Sequence, residues 1–196
     1  MTTPKIAAVI LAAGYSSRMG QPKALLKIKH TNFHDAILEK LRTRPFDPLI
    51  TIVGTSGPEI ISSSRAGEQH IFITNPQADR GQLSSLQCAL NRFAADVAGC
   101  LMVLVDHPLV KTETYGELYQ RICEMPQRII IPVYNNKGGH PVYFGRQYFD
   151  ALLEAPLAKG ARFVVEKYKD NVYRLPVQDA GVLIDIDTPA DYSANL

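Results

Sequence analysis

The sequence has few cysteines, and their number is odd. Three are present among the 196 residues, Cys88, Cys100 and Cys123, and none has a CxxC spacing. This pattern argues against a disulfide framework and against a metal site built from thiolates. We therefore expect a protein of a reducing compartment, the cytoplasm.

A long apolar run and a large net charge are also missing. The apolar stretch at residues 6–13 is far shorter than the roughly 20 residues that cross a bilayer, and it lacks the flanks of a signal peptide. The 21 Lys and Arg against 19 Asp and Glu leave a formal charge of +2, which is too small to track a nucleic-acid backbone. We therefore predict neither a membrane nor a nucleic-acid partner.

Short apolar runs rich in Val and Ile alternate with amphipathic segments of about ten residues. Near-continuous apolar runs are typical of strands buried on both faces, and the alternation predicts βαβ units. The predicted strands are 6–11, 49–53, 71–74, 101–105, 129–133, 172–177 and 182–186, and the predicted helices are 34–42, 83–93, 112–125, 147–154 and 161–169. Because no linker divides the chain, we expect one Rossmann-like α/β domain over residues 1–196, with a mostly parallel sheet flanked by helices.

The loop after the first predicted strand is rich in small residues, as expected of a ligand-binding loop. Residues 11–26 read LAAGYSSRMGQPKALL, beginning at Leu11. Small residues at Ala12, Ala13 and Gly14 allow backbone amides to approach a ligand. The carboxyl end of a parallel strand is where such ligands bind. Neither GxxxxGK[ST] nor GxGxxG is present, so the loop is neither a Walker A loop nor a dinucleotide fingerprint.

Two basic residues, Arg18 and Lys23, stand in the same loop. An arginine can clamp a phosphate through two hydrogen bonds, whereas a lysine acts as a compact charge, so the pair suits a triphosphate. The alternative is a plain connection that carries two solvated basic residues.

A second glycine-bearing segment follows the third predicted strand, which ends at Asn75. Residues 80–90 read RGQLSSLQCAL, in which Gly81 permits close backbone approach. The hydroxyl of Ser84 or Ser85 can either hydrogen-bond a nucleotide base or cap the following helix. We assign Asn75, Gly81 and Ser84 to a nucleotide site.

Two aspartates end predicted strands. Asp106 follows an apolar strand, where a buried carboxylate needs a cation or donors. Magnesium favours one or two carboxylates plus substrate phosphates, so a second aspartate is expected across the site. Asp187, at the tip of the 182–186 strand with Asp185 two residues earlier, is the candidate. Asp187 is also placed to cap a terminal helix that begins at Thr188.

These segments resemble the MobA-like NTP transferases, of the molybdopterin cytidylyltransferase type. The 11–26 segment matches the pattern LAAG-x-S-x-RMG-x-PK-x-LL, 80–90 resembles the family's serine-bearing segment, and 185–192 resembles its Asp-Ile-Asp-Thr-Pro ending. The resemblance implies a fold like that of the nucleotide-diphospho-sugar transferases. It also implies Mg²⁺ on Asp106 and Asp187, with Arg18, Lys23 and Asp106 as catalytic residues.

Acceptor recognition is implied at three further places. His107 stands where the family usually has glutamine, and the KGGHPVYF segment of residues 137–144 resembles the family's loop near the acceptor phosphate, with His140 and Pro141. Arg162 belongs to a Gly-Ala-Arg segment that the family also carries. Judged by residue type alone, either histidine can equally be structural and Arg162 an exposed helix residue.

The implied reaction transfers CMP from CTP to molybdenum-bound molybdopterin and releases pyrophosphate. The expected partners are CTP, that phosphorylated acceptor, and a recipient molybdoenzyme or its chaperone. Alternatives are a nucleotidyltransferase of the same fold that uses GTP or a sugar phosphate, and a nucleotide-binding module without catalysis. Asp106 and Asp187 argue against the last, because pure binding does not need two metal carboxylates.

Overall fold

The computed structural model describes residues 3–67 and 70–196. The strands in this part of the chain are β1 (Lys5–Ala12), β2 (Lys27–Ile28), β3 (Thr31–Asn32), β4 (Leu49–Val53), β5 (Ile71–Thr74), β6 (Val97–Leu104), β7 (Ile129–Tyr134), β8 (Lys137–Gly138), β9 (Val142–Gly145) and β10 (Val172–Pro176). The α-helices are α1 (Phe33–Leu41), α2 (Gly57–Ser63), α3 (Gln82–Leu90), α4 (Thr112–Glu124), α5 (Phe149–Glu154), α6 (Arg162–Lys167) and α7 (Pro189–Asn195). None of the described helices is long and apolar enough to span a membrane.

The main sheet has the strand order β5-β4-β1-β6-β9-β7-β10, with β8 beside β7 and with β2 and β3 in a separate hairpin. Among the described strands of this sheet, β8 and β9 run antiparallel to their neighbours, so the predicted mostly parallel α/β fold is confirmed. From β1 the chain moves outward to β4 and β5, and then returns to β6 on the other side of β1. The carboxyl ends of β1 and β6 therefore form a topological switch point, where α/β sheets bind ligands.

Both faces of the sheet are buried, as the apolar runs predict. Alternate residues of β1 divide between two apolar clusters: Ile6, Ala8 and Ile10 pack on one face, and Val9 and Leu11 on the other. Helices α1 and α4 cover the first face, and α3, α5 and α6 cover the second. Packing on both faces fixes the positions of the strand ends. The loops that follow these ends form the site.

The prediction of a strand at residues 182–186 is wrong. Residues Ala180–Leu183 form a 3-10 turn, and an irregular segment follows. Val182 and Ile186 are fully buried, which explains the strand-like apolar pattern. However, the Ile186 amide donates to the carbonyl of Asp106 at 2.8 Å, and that of Ile184 to the carbonyl of Gly181. The segment is therefore anchored to loops and pairs with no strand in the described residues.

The structure also differs from the prediction in several short helices and strands. Residues 137–144, which resemble a loop of the family, contain strand β8 and the first residues of strand β9. Helix α2, seven residues long, has no counterpart among the predicted helices. The predicted helix 147–154 divides into a 3-10 turn at Arg146–Tyr148 followed by α5. The helix predicted at 83–93 ends earlier, at Leu90.

Candidate nucleotidyl-transfer site

A cavity of about 510 Å³ opens at the carboxyl ends of β1 and β6. It forms where the loop after β1, the turn before α3, the end of β6 and the segment before α7 converge. The predicted site residues in its wall are Leu11, Ala12, Ala13, Gly14, Arg18, Lys23, Gly81, Asp106, His107, His140 and Asp187. The structure therefore brings together residues from five separate parts of the sequence.

The loop after β1 is folded back on itself by Ser16. This residue has a positive φ of 51°, which is uncommon for a residue other than glycine. Its hydroxyl oxygen accepts a hydrogen bond from the Lys23 amide at 3.0 Å, and its carbonyl accepts one from Met19 at 2.9 Å. These contacts fix the position of Lys23, which begins a 3-10 turn at Lys23–Leu25.

Lys23 lies between the two aspartates. Its Nζ donates to Asp106 Oδ2 at 3.0 Å and also to Asp187 Oδ1. Arg18 Nη2 donates to the other oxygen of Asp187 at 2.7 Å. The side chains of Lys23 and Asp106 are only 13% and 15% exposed, whereas that of Arg18 is 66% exposed. The ion pairs of Lys23 are therefore little screened by water.

The same contacts shift the titration of this cluster. The hydrogen bond from Lys23 lowers the pKa of Asp187, and the charges of Lys23 and Arg18 add to that effect. Burial works to lower the pKa of Lys23, but the charges and hydrogen bonds of Asp106 and Asp187 outweigh it and raise the pKa. Near neutral pH, Lys23 is therefore an ammonium and Asp187 a carboxylate.

The capping alternative for Asp187 does not hold. Helix α7 is capped by Thr188, whose hydroxyl accepts from the Asp191 amide at 3.2 Å, while Asp191 Oδ2 accepts from the Thr188 amide at 2.8 Å. This reciprocal pair is a capping box. The Asp187 carboxylate consequently remains available to face Lys23 and Arg18.

A second network holds the two aspartate-bearing segments in place. Asp179, which is 2% exposed, accepts hydrogen bonds from Thr114 Oγ1 at 2.7 Å and from the Lys111 and Gly181 amides at 2.8 and 2.9 Å. Lys40 Nζ donates to the carbonyls of Pro108 and Val110 at 2.6 and 2.8 Å, and burial lowers its pKa to about 8. The loop after β6 is thus tied to α1 and, through Asp179, to the segment that leads to Asp187.

The two carboxylates fit a divalent cation. Both lie within hydrogen-bonding reach of one ammonium group, and Asp106 Oδ1 is buried with no hydrogen-bond partner among the residues that the structure describes. The described residues contain no cluster of three or more His, Cys, Asp or Glu arranged to hold a metal. Two carboxylates completed by substrate phosphates are a common way to bind Mg²⁺.

Asn75 and Ser84, which we assigned to the nucleotide site, do not line the cavity. Asn75 Nδ2 donates to the hydroxyls of Ser84 and Ser85 at 3.0 Å each, and the Ser84 hydroxyl lies 2.8 Å from the carbonyl of Gly81, to which it donates. Nor does Ser84 cap α3, because Gly81 occupies the N-cap position without a side-chain cap. The structure places these two residues behind the wall, where they shape the turn before α3.

Gly81 and Ser85 form the wall at this turn. Gly81 has a φ of +94°, and a Cβ at this position would have no atom within 4 Å. Its backbone therefore faces open space in a conformation that other residues adopt only with strain. Of the two serines that the sequence offered for hydrogen bonding to a base, Ser85 and not Ser84 therefore lies in the cavity wall.

A second cavity, of about 800 Å³, adjoins the first. Gln82 and His140 line both. The predicted acceptor residue Arg162 lines only the second, where its Nε donates to Glu166 Oε1 at 2.8 Å. Pro141 is buried and lines neither of them.

His107 and His140 lie side by side where the cavities meet, with ring centroids 5.0 Å apart. Burial lowers the pKa of both, to about 4 for His140, where His107 adds to the effect. The Nδ1 atoms of both rings are buried and have no hydrogen-bond partner in residues 3–67 and 70–196. The pair therefore presents neutral rings at the junction and does not supply positive charge.

Sequence reasoning missed several wall residues. Tyr15, 63% exposed, stands at the tip of the first loop, and Gln82 follows Gly81. Asp185 is in the wall of the first cavity, although it lies in an irregular segment and not on the predicted strand. Arg174 lines the second cavity from β10. Its signal was weak, because a single charged residue within a strand pattern usually faces solvent.

A basic loop that faces two carboxylates at a switch point defines a nucleotide-binding α/β protein equipped for phosphate chemistry. Residues 8–172 match the model of the MobA-like NTP transferase domain. The chain belongs to this family and is an enzyme that transfers a nucleotide.

Two curated relatives differ in the base that their names specify. Over 184 residues, 94% of this chain and 92% of the relative, the chain is 25% identical to the molybdenum cofactor cytidylyltransferase of Escherichia coli K12. It is 29% identical over 132 residues to a probable molybdenum cofactor guanylyltransferase of Halalkalibacterium halodurans, which covers 66% of this chain and 64% of the relative.

The structural neighbours include Rv0371c of Mycobacterium tuberculosis H37Rv. Its crystal structure has a TM-score of 0.83 and 32% identity, covering 99% of this chain and 98% of that one. A complex of the same protein with manganese has a TM-score of 0.79 and 30% identity, covering 98% of each chain. The latter is a related structure crystallised with a divalent cation.

Proposed function

We propose that residues 1–196 act as one Mg²⁺-dependent domain that transfers CMP from CTP to molybdenum-bound molybdopterin, producing molybdopterin cytosine dinucleotide and pyrophosphate. The observation that carries this proposal is the Lys23, Asp106 and Asp187 cluster, set between a phosphate-binding loop and a second cavity. The choice of CTP is supported by the name of the Escherichia coli relative and by the LAAG form of the first loop.

The residues of the site fit the chemistry of the transfer. An oxygen of the acceptor phosphate forms a bond to the α-phosphorus of the nucleotide, the bond to the bridging oxygen breaks, and pyrophosphate leaves with that electron pair. No nucleophilic side chain is required, because positioning and charge neutralisation carry such reactions.

Arg18 and Lys23 would contact the triphosphate, and the amides of residues 11–14 and 81 would approach it. Asp106 and Asp187 would hold Mg²⁺, which when bound neutralises charge on the phosphates. His107, His140 and Arg162, at the junction and in the second cavity, would contact the acceptor.

The test is pyrophosphate release from CTP and GTP, measured side by side with Mg²⁺ and molybdenum-loaded molybdopterin, and repeated without the acceptor. We expect acceptor-dependent release with CTP at least about tenfold faster than with GTP, a difference of about 1.4 kcal/mol. A GTP preference, which the name of the Halalkalibacterium relative would favour, contradicts the cytidylyl assignment.

Two further outcomes would redirect the proposal. If pyrophosphate release requires a sugar phosphate, the acceptor is a sugar phosphate and not molybdopterin. If the nucleotide binds but pyrophosphate is not released under any condition, the protein is a nucleotide-binding module. If CMP transfer is found, a recipient molybdoenzyme or its chaperone is the expected next partner, and co-purification with the product-loaded enzyme tests that step.

A further inference from the structure

The second cavity has an apolar floor that ends in one charged residue. Met102 of β6 pairs with Val142 of β9, and Ile131 of β7 pairs with Arg174 of β10. The pairing of Ile130 with Tyr143 places Ile131 beside Val142. These four residues therefore form a row across four strands, and all four line the cavity. Three are apolar and the last, on the edge strand, is an arginine.

The wall around this floor likewise combines apolar residues with a few charged ones. Leu83, Phe144 and Val165 add further apolar surface, and Lys159 and Arg162 add charge at the rim. Arg162 is 85% exposed and is already paired with Glu166. Arg174 is also exposed, but unlike Arg162 it has no ion pair within residues 3–67 and 70–196. Its Nη1 lies 3.6 Å from the position that a Cβ on Gly138 would occupy, so the side chain leans inward over β8.

The position of Arg174 is too far from Asp106 for one phosphate to contact both. Three strand spacings separate β10 from β6, roughly 14 Å, and Asp106 lies four residues beyond Met102, roughly 13 Å along the strand. An extended arginine side chain spans only about half of the first distance. Its guanidinium therefore meets a different part of the acceptor from the phosphate that reacts beside Asp106.

We propose that Arg174 is a specificity-determining residue, which binds an anionic or carbonyl group at the end of the acceptor opposite its reacting phosphate. The acceptor class is then an elongated molecule with a phosphate at one end, an apolar ring system in the middle and a hydrogen-bond acceptor at the far end. This inference rests on the proposed function, because it takes the second cavity as the acceptor site.

Two fluorescent probes test the assignment: 2-naphthyl phosphate and 6-carboxy-2-naphthyl phosphate, which differ only at the distal end. The chain has no tryptophan, so naphthalene anisotropy can be read with little protein background. In the presence of Mg²⁺, we expect the carboxylated probe to bind the wild-type protein about tenfold more tightly. Arg174→Met should reduce this preference to less than twofold, and Arg174→Lys should retain part of it.

Arg128→Met is the matched control. Arg128 contacts Asp170 and Asn171 and lines neither cavity, so its removal changes the charge near β7 and β10 without touching the floor. Equal binding of the two probes by the wild type, or a preference that survives in Arg174→Met, would overturn the proposal. An equal loss of both probes in Arg174→Met would also overturn it, since Arg174 would then hold the phosphate.

The affinity for Mg²⁺ and CTP, measured on the same variants, separates this inference from the proposed function. Arg174→Met should leave nucleotide affinity unchanged within twofold. If CTP does not bind any variant, the proposed function fails, whereas the probe preference reports on Arg174 independently.

Discussion

The two cavities are adjacent but are lined by different kinds of groups. The wall of the first consists of loop backbone and charged side chains, with Lys23 joined to both aspartates. The floor of the second consists of apolar side chains that project from the sheet, with cations around it. Only Gln82 and His140 belong to both walls among the described residues.

Under the proposed function, this difference would divide the work of the enzyme. The first cavity, whose geometry is set by ion pairs and backbone, would bind the phosphates that every nucleotide shares. The second would distinguish one acceptor from others through its apolar shape and one placed charge. Changes in the first should therefore reduce transfer to any acceptor, whereas changes in the second should alter preference.

The largest effect should come from Asp106→Asn. The amide keeps the shape but removes the charge that pairs with Lys23, and we expect pyrophosphate release to fall at least about 100- to 1,000-fold. Binding of Mn²⁺ in the presence of nucleotide, followed by electron paramagnetic resonance, should weaken in parallel. The unfolding temperature should stay within a few degrees, because the hydrogen bond with Lys23 is the one that the Asp106 side chain makes in the described part of the chain.

Asp185→Asn provides the comparison for this change. Asp185 lines the same cavity but is exposed and outside the Lys23 cluster, so it should lose less than about tenfold. If the two variants lose activity equally, general negative charge in the cavity, and not a specific ligand at Asp106, is responsible.

Lys23→Met should have the next largest effect. Under the proposed function the buried Lys23 ammonium would contact the triphosphate, so its loss should weaken CTP binding by about 10- to 100-fold. Isothermal titration of Mg²⁺ and CTP measures this, with the neighbouring exposed Lys27→Met as the control. Unchanged CTP affinity in Lys23→Met would show that Lys23 pairs with the two aspartates but does not bind the nucleotide.

His107→Gln should affect the acceptor and leave the nucleotide unaffected. His107 is a neutral, buried ring at the junction of the cavities, and glutamine is the residue usual at this place in the family. We expect the KM for the acceptor to change by up to about tenfold, with the KM for CTP unchanged. An effect confined to CTP would show that His107, which lines the first cavity where it meets the second, acts on the nucleotide, and this result would break the division.

The sequence predicted the first cavity much better than the second. Its loop is continuous in sequence, so Arg18 and Lys23 could be found from one segment, and the buried strand β1 was predictable from its apolar run. Asp187 was identified although the strand predicted before it does not exist: Val182 and Ile186 are buried in an irregular segment, which gives the same apolar pattern as a strand. Arg174 lines the second cavity because the register of β10 with β7 places it beside Ile131. A single sequence does not reveal the register between two strands.

The smallest effect concerns stability at low pH, where the junction between the cavities can be examined without substrate. Burial lowers the pKa of His140 and of His70 to about 4, whereas unfolded histidine titrates near 6.5. Between these values the unfolded chain binds more protons, so the free energy of unfolding falls as the pH is lowered from about 6.5 to about 4. His140→Gln should flatten this part of the profile, measured by urea unfolding at several pH values.

His30→Gln, at an exposed site, should leave the slope as it is in the wild type. A slope unchanged in His140→Gln would mean that the ring is protonated in the folded protein at these pH values, which places a positive charge at the junction. In that case the junction would bind the acceptor's phosphate by charge, and the boundary between a charged first cavity and an apolar second one would have to move beyond His140.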